Sequence, residues 1–324
     1  MSIRAPRRST IALAAAEALA STGTAYVGAR NLLIGQAQQA RSVIPKTWAV
    51  PPRADGVYSP GGGPVERWRR EVPVDVHLMA FGDSTATGYG CQSSDETPGV
   101  LLARGLADQT GKRIRLSTKA IVGATSKGLS GQVDAMFVAG PPPDAAVIMI
   151  GANDITALNG IGPSASRLGA AVRRLRDSGA VVVVATCPDF GIVTAIPQPL
   201  RWVTRTRGLR LARAQAVAVR AAGGIPVPLA DLLAAPQLRQ APERLLSDDQ
   251  YHPSATGYAL LAGQMLPALC SALGERDAAD ALNRPAPSIA AEPRPGRLRL
   301  SIMSRLWRRP RTGVPAPVVM PTSG

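Results

Sequence analysis

Between residues 74 and 273 the chain alternates short apolar runs with longer amphipathic stretches. Val74–Phe81, Ala145–Ile150 and Val181–Ala185 are almost continuously apolar. Runs of that length and composition read as strands buried on both faces. Arg113–Lys119 alternates instead, with Ile114 and Leu116 set against Arg113 and Arg115, and Ile225–Pro228 is a short last strand. The intervening stretches carry the helical period. Gly99–Gln109 is one, and Lys127–Val138 is a second, stopped by Gly140 and three prolines. Ser164–Ser178 puts Leu168, Val172 and Leu175 on one face and Arg167, Arg173, Arg174 and Arg176 elsewhere. Val203–Ala222 is a long basic helix, and Ser254–Leu273 closes the series with Gly274 at the expected stop. Strands alternating with helices predict an α/β fold, a three-layer α/β/α sandwich around a parallel five-stranded sheet.

The flanks read differently. Arg4, Arg7 and Arg8 precede a stretch, Ile11 to Ala29, whose only charge is Glu17. A positive start followed by an apolar run is the pattern of a signal sequence or signal anchor, with Ala18-Leu19-Ala20 as a small-x-small cleavage pattern. The other reading of residues 1–43 is an amphipathic helix packed on the domain. Residues 44–75 are rich in Pro and Gly and read as an extended linker with no core of its own. The organised domain is expected over 76–275, and residues 276–324 read as an Arg/Pro-rich disordered tail. Within that tail Leu298, Ile302 and Leu306 recur every four residues among arginines, the spacing of a basic amphipathic helix.

Charge then needs a location. The formal net charge is +15 over 324 residues, of which 1–75 carry +5, 284–324 carry +7 and 76–283 only +3. The excess sits in the ends, which favours contact with an anionic membrane face over a folded nucleic-acid reader. No helix-turn-helix, zinc-finger or RNA-recognition signature is present, so no nucleic acid is expected as partner. Cys91, Cys187 and Cys270 are far apart, lack metal-ligand spacing and read as small hydrophobes.

Candidate chemistry centres on His77–Gly90, HLMAFGDSTATGYG. An apolar strand that stops at Gly82-Asp83-Ser84 leaves Ser84 just past its carboxyl end, where open α/β sheets bind ligands. Ser84 is thus a candidate nucleophile in need of a base. The chain has two histidines. His77 lies about seven residues, roughly 23 Å of strand, from Ser84, so His252 is the candidate base. Asp249 precedes it by three residues, and a turn there lets the carboxylate orient the imidazole. Asp248 is a neighbouring rival without that spacing. Asp83 reads as structural, holding its turn through side-chain-to-backbone bonds.

Gly82-Asp83-Ser84, Gly123 in Ile-Val-Gly-Ala-Thr, Gly151-Ala152-Asn153-Asp154 and Asp249-Gln250-Tyr251-His252 occur in this order. Together they resemble the four blocks of the SGNH, or GDSL-type, serine hydrolases, and the wider chain is similar to exported-type actinobacterial members. The likeness covers about residues 76–272, with Thr85 departing from the Leu that many members carry after the Ser. It implies a flavodoxin-like sheet and a catalytic triad of Ser84, His252 and Asp249. It also implies an oxyanion hole made by the N–H groups of Ser84 and Gly123 with the Asn153 side chain, while Asp154 anchors the loop that aims Asn153. The implied function is a carboxylic ester hydrolase, esterase or lipase, needing no metal or organic cofactor. The implied substrate is a small-molecule, lipid or glycan ester, and the expected location is exported, membrane-anchored or envelope-associated, with the cytoplasm as the alternative.

Two rivals remain at this stage. A nucleophile elbow of the ordinary α/β-hydrolase needs Gly-x-Ser-x-Gly, and Ala86 stands where its second Gly belongs. A non-catalytic envelope-binding protein on the same fold would have been supported by loss of the Ser, His or Asn, all of which are present. The pocket walls are expected from the loops Gly88–Pro98 and Thr186–Trp202, the second holding Phe190, Ile192, Val193, Ile196 and Trp202.

Overall fold

The structure is a computed structural model that describes residues 25–40, 42, 44, 50–234 and 242–283. The N-terminal arginine cluster, the apolar stretch up to residue 24 and the basic tail beyond 283 lie outside the described residues.

Six strands form one sheet in the order β1-β3-β2-β4-β5-β6. They are β1 Gly56–Tyr58, β2 Val76–Gly82, β3 Ile114–Thr118, β4 Ala145–Met149, β5 Val181–Ala185 and β6 Ile225–Val227. β2 to β6 are parallel to one another, as the alternation predicts, in the flavodoxin-like order. The sixth strand is the difference. β1 runs antiparallel along β3, with Gly56 opposite Leu116 and Tyr58 opposite Ile114. It comes from the stretch read as linker. Val57 and Tyr58 are each 1% exposed, so residues 44–75 do contribute to the core. A β-branched residue beside an aromatic one outweighs the surrounding prolines and glycines.

Helices cover both faces. We number them α1 (25–40), α2 Ser84–Thr87, α3 Pro98–Thr110, α4 Leu129–Ala139, α5 Ala152–Thr156, α6 Ile161–Asp177, α7 Leu200–Ala221 and α8 Ala255–Asn283. The pleat of β2 sorts its side chains between two cores. Leu78 and Ala80 pack with Leu102 and Leu106 of α3 and with Leu261, Met265 and Leu269 of α8. Met79 and Phe81 pack with Leu129 and Val133 of α4 and Leu168, Val172 and Leu175 of α6. A smaller cluster joins Phe190, Val193, Ile196 and Leu211 to Ala40 at the end of α1. Gln36 of α1 bonds the carbonyl of Gln198 and accepts from Leu200 N–H. Thus the end of the stretch read as a leader docks on the domain.

α8 does not stop at Gly274, and the ordered helix runs beyond the predicted boundary at 275. Its extra turns are anchored to the sheet side: Arg276 donates to the Asp144 carbonyl and carboxylate, and Asp277 pairs with Lys112. Ala255–Ala278 is long and apolar enough to cross a membrane by composition, but Leu261, Met265, Leu269 and Leu273 are buried in the core.

The first parallel strand, β2, is followed by crossovers to opposite sides, β3 and then β4. The crevice beyond the carboxyl ends of β2 and β4 is therefore the switch point, where ligands bind in open α/β sheets.

Candidate active site

β2 ends at Gly82, whose φ of +134° lies in the region open mainly to glycine. A Cβ there would sit 1.9 Å from the Met149 carbonyl oxygen of β4. This close approach lets Asp83 N–H bond the same carbonyl and swings Ser84 out over the crevice. Ser84 opens the short helix α2, and Asp83 caps it by accepting Thr85 N–H at 2.9 Å. Asp83 is therefore structural, as expected. Burial pushes its carboxyl up to about 6 despite the Thr85 hydrogen bond. Its Oδ2 makes no hydrogen bond of ordinary geometry, although Gly151 N–H lies close enough to lower its pKa.

His252 and Asp249 come from one tight loop before α8. Leu246 and Pro253 bridge its ends, and Ser247 N–H donates to the His252 carbonyl at 2.8 Å. Inside the loop Asp249 Oδ1 accepts from Ser247 Oγ, Tyr251 N–H and His252 N–H, each at 2.9 Å. Asp249 Oδ2 lies 2.5 Å from His252 Nδ1, and His252 Nε2 lies 3.0 Å from Ser84 Oγ. Burial by itself raises the Asp249 carboxyl. The hydrogen bonds from the His252 ring and backbone, the ring's charge and Tyr251 N–H outweigh burial and hold it at about 2. Asp248 is exposed and takes no part. The imidazole is also held by rings, with Tyr89 at 4.4 Å and Tyr251 edge-on at 5.0 Å between centroids.

His77 is far from this chain of bonds. It is buried on the sheet with Nε2 2.9 Å from Ser117 Oγ. Burial, followed by the nearby Arg115 charge, pulls its pKa down to about 4.

Gly123 lies in the loop after β3, and Asn153 lies in the short helix α5 that opens the loop after β4, at the same edge. Gly123 has φ +80° and nothing within 4 Å of where a Cβ would be. Asn153 donates one Nδ2 hydrogen to the Ala124 carbonyl at 3.0 Å, which ties the loops together and leaves its second hydrogen. Asp154 reinforces the tie: it accepts from Ser126 N–H and Oγ, both at 2.8 Å, and from Asn159 and Ser164 at 2.9 Å.

Two buried glutamines were not singled out in the sequence. Gln132 of α4 makes a paired bond with Gly82, Oε1 accepting its N–H and Nε2 donating to its carbonyl, both at 2.8 Å. Gln215 of α7 spans the ends of β4 and β5, donating to the Ile150 carbonyl and accepting Cys187 N–H. Each sits alone on an apolar helix face, Gln132 between Leu129 and Val133 and Gln215 between Leu211 and Val219. That isolation was the available signal.

A pocket of about 110 Å³ opens beside Ser84 and His252. Phe190, Ile192 and Val193 line it, as expected of Thr186–Trp202, together with Leu245, Leu246 and Leu261. The other expected wall borders the site through Tyr89, which packs on the His252 ring. Gly88–Pro98 folds on itself, with Gly88 against Thr97 and Glu96 capping Gln92 N–H, and gives this pocket no lining residue. Ile196 is buried in the cluster behind, and Trp202 points outward, 63% exposed.

Comparison with known proteins shows the family. Residues 80–260 match the model of the GDSL-like Lipase/Acylhydrolase family. A GDSL-like esterase of Mycobacterium tuberculosis is 70% identical over 319 residues, covering 98% of this chain and all of that one. Among solved structures, a lipase/acylhydrolase from Enterococcus faecalis superposes with a TM-score of 0.50 at 21% identity, covering 61% of this chain and 96% of that one, a likeness of fold. The chain belongs to the GDSL-like lipase/acylhydrolase family, whose chemistry is the hydrolysis of esters.

Proposed function

We propose that this protein cleaves carboxylic esters through an acyl-enzyme on Ser84. The observation that supports this reading most is the unbroken hydrogen-bond chain from Ser84 Oγ through His252 to Asp249. His252 Nε2 takes the Ser84 proton as Oγ attacks the ester carbonyl. Asp249, kept ionised by its donors, fixes the Nδ1–H tautomer and stabilises the imidazolium. His252 then passes the proton to the leaving alcohol, and activates the water that attacks the acyl-enzyme. The tetrahedral oxyanion is met by the N–H groups of Ser84 and Gly123 and the remaining Asn153 Nδ2 hydrogen. Each such donor is typically worth ~3 kcal/mol of transition-state stabilisation. The acyl chain takes the apolar pocket at Phe190, Ile192 and Val193.

Arg4, Arg7 and Arg8 ahead of an apolar stretch support export or envelope association, with the basic ends in contact with a membrane surface. The test of function is hydrolysis of chromogenic esters from acetyl to palmitoyl by wild type, Ser84→Ala and His252→Ala. Both variants should lose several orders of magnitude in kcat/KM. Full activity in Ser84→Ala contradicts the proposal.

A further inference from the structure

Large apolar side chains are turned outward at the catalytic edge. Ile121 is 60% exposed, Val122 43% and Leu158 75%. Ile121 and Val122 precede Gly123 in the loop after β3, and Leu158 lies in the loop that follows α5, the helix of Asn153. The loops are one body: Asn153 bonds Ala124, and Asp154 bonds Ser126. They also abut the crevice, because Ile121 N–H donates to the Gly82 carbonyl, one residue from Asp83.

Leu158 carries a second sign that this exposure is built in. Its φ is +56°, a left-handed conformation that is costly for a branched side chain. Its backbone is locked there by Leu158 N–H to the Ile155 carbonyl and Asn159 N–H to the Asp154 carbonyl. Strain of this kind persists where the surroundings over-determine it, and it gathers at working surfaces.

Charge narrows the partner. Residues 119–128 and 151–163 contain Lys119 and Lys127, and their only carboxylate, Asp154, is buried under four hydrogen bonds. Lys119 faces the exposed Asp55, but Lys127 is exposed beside the tip, Arg167 reaches Ser126 Oγ and Arg207 reaches the Asn159 carbonyl. An apolar tip flanked by these three cations, with its own carboxylate buried, matches the interface of a bilayer with anionic headgroups.

We infer that Ile121, Val122 and Leu158 form a docking edge that inserts into an anionic lipid surface and brings the mouth of the Ser84 crevice to it. The ester then enters the apolar pocket from the lipid side. Docking stands apart from the catalytic assignment, since none of the three side chains has a role in that chemistry.

The test uses the full chain, so that its basic ends are the same in every sample. Partition onto phosphatidylcholine vesicles with and without 30% phosphatidylglycerol is compared for wild type and Ile121→Ser/Val122→Ser/Leu158→Asn. Hydrolysis of a soluble acetyl ester is read in parallel. The inference expects at least tenfold weaker partition of the triple variant onto anionic vesicles, with soluble-ester turnover unchanged. Equal partition of both proteins overturns it. So does wild-type binding that is indifferent to the anionic lipid. Self-association of the wild type without vesicle binding, lost in the triple variant, overturns it in favour of a second copy on this edge. Should the triple variant lose soluble-ester turnover, Leu158→Asn alone decides, because Asn tolerates φ +56°. It should bind anionic vesicles about threefold more weakly, and unchanged binding overturns the inference.

Discussion

Asp249 Oδ2 lies 2.5 Å from His252 Nδ1, while the other oxygen of the same carboxylate accepts three hydrogen bonds from its own loop. The loop thus aims the carboxylate at the ring before any substrate arrives. Asp249→Asn keeps the size of the group but can present an N–H to Nδ1, which favours the wrong tautomer. We expect kcat to fall about 10³-fold or more with KM little changed. A fall confined to KM contradicts an orienting role for Asp249.

Asp83 gives a pH signature with a definite sign. Its folded pKa is raised from 3.8 to about 6. Its contribution to stability is therefore fully present below about pH 4 and is lost as pH rises through 6. Asp83→Asn removes that dependence. The stability difference between wild type and variant should shift in favour of the variant by roughly 3 kcal/mol between pH 4 and 7, at about 1.4 kcal/mol per unit. Denaturant unfolding across that range measures it. Parallel pH profiles mean that the carboxyl is not raised.

With two histidines in the chain, proton NMR isolates His77 cleanly. The imidazole signal that remains in His252→Ala should titrate near 4, because burial and Arg115 disfavour the charged ring. A midpoint near 6.5 contradicts its place beneath the sheet surface.

The pocket lining predicts acyl selectivity. Ile192 lines it beside Phe190 and Val193. Ile192→Glu places a carboxylate where the chain lies, at a desolvation cost that grows with the length of chain bound. Acetyl ester hydrolysis should persist, while kcat/KM for octanoyl and longer esters should fall at least tenfold. An unchanged chain-length profile removes the pocket from acyl binding.

The sequence made the parallel sheet legible because β4 and β5, and β2 from Leu78 to Phe81, are continuous apolar runs, a pattern with few other solutions. That Ser84, Asp249 and His252 would meet was legible because the chain has two histidines, and the order and spacing of the blocks around them carry across a fold. What escaped depended on tertiary partners. β1 is three residues in a Pro/Gly-rich stretch, made a strand by its pairing with β3 and by the bridge from Val57 to Glu66. α8 outruns Gly274 because Arg276 and Asp277 find Asp144 and Lys112, 132 and 165 residues away. Gln132 and Gln215 serve backbone groups 50 and 65 residues distant, which no local period reveals. The Gly88–Pro98 loop follows the Ser84 turn directly, yet its own capping bonds fold most of it away from the acyl pocket.

The most direct measurement of the central claim is covalent. The full chain is treated with a fluorophosphonate, and the adduct is mapped by peptide mass spectrometry while residual ester hydrolysis is followed. The account predicts one equivalent of label, on Ser84, with activity lost in proportion, and labelling slowed by orders of magnitude in His252→Ala. Label on another residue, or activity that survives complete labelling of Ser84, contradicts it.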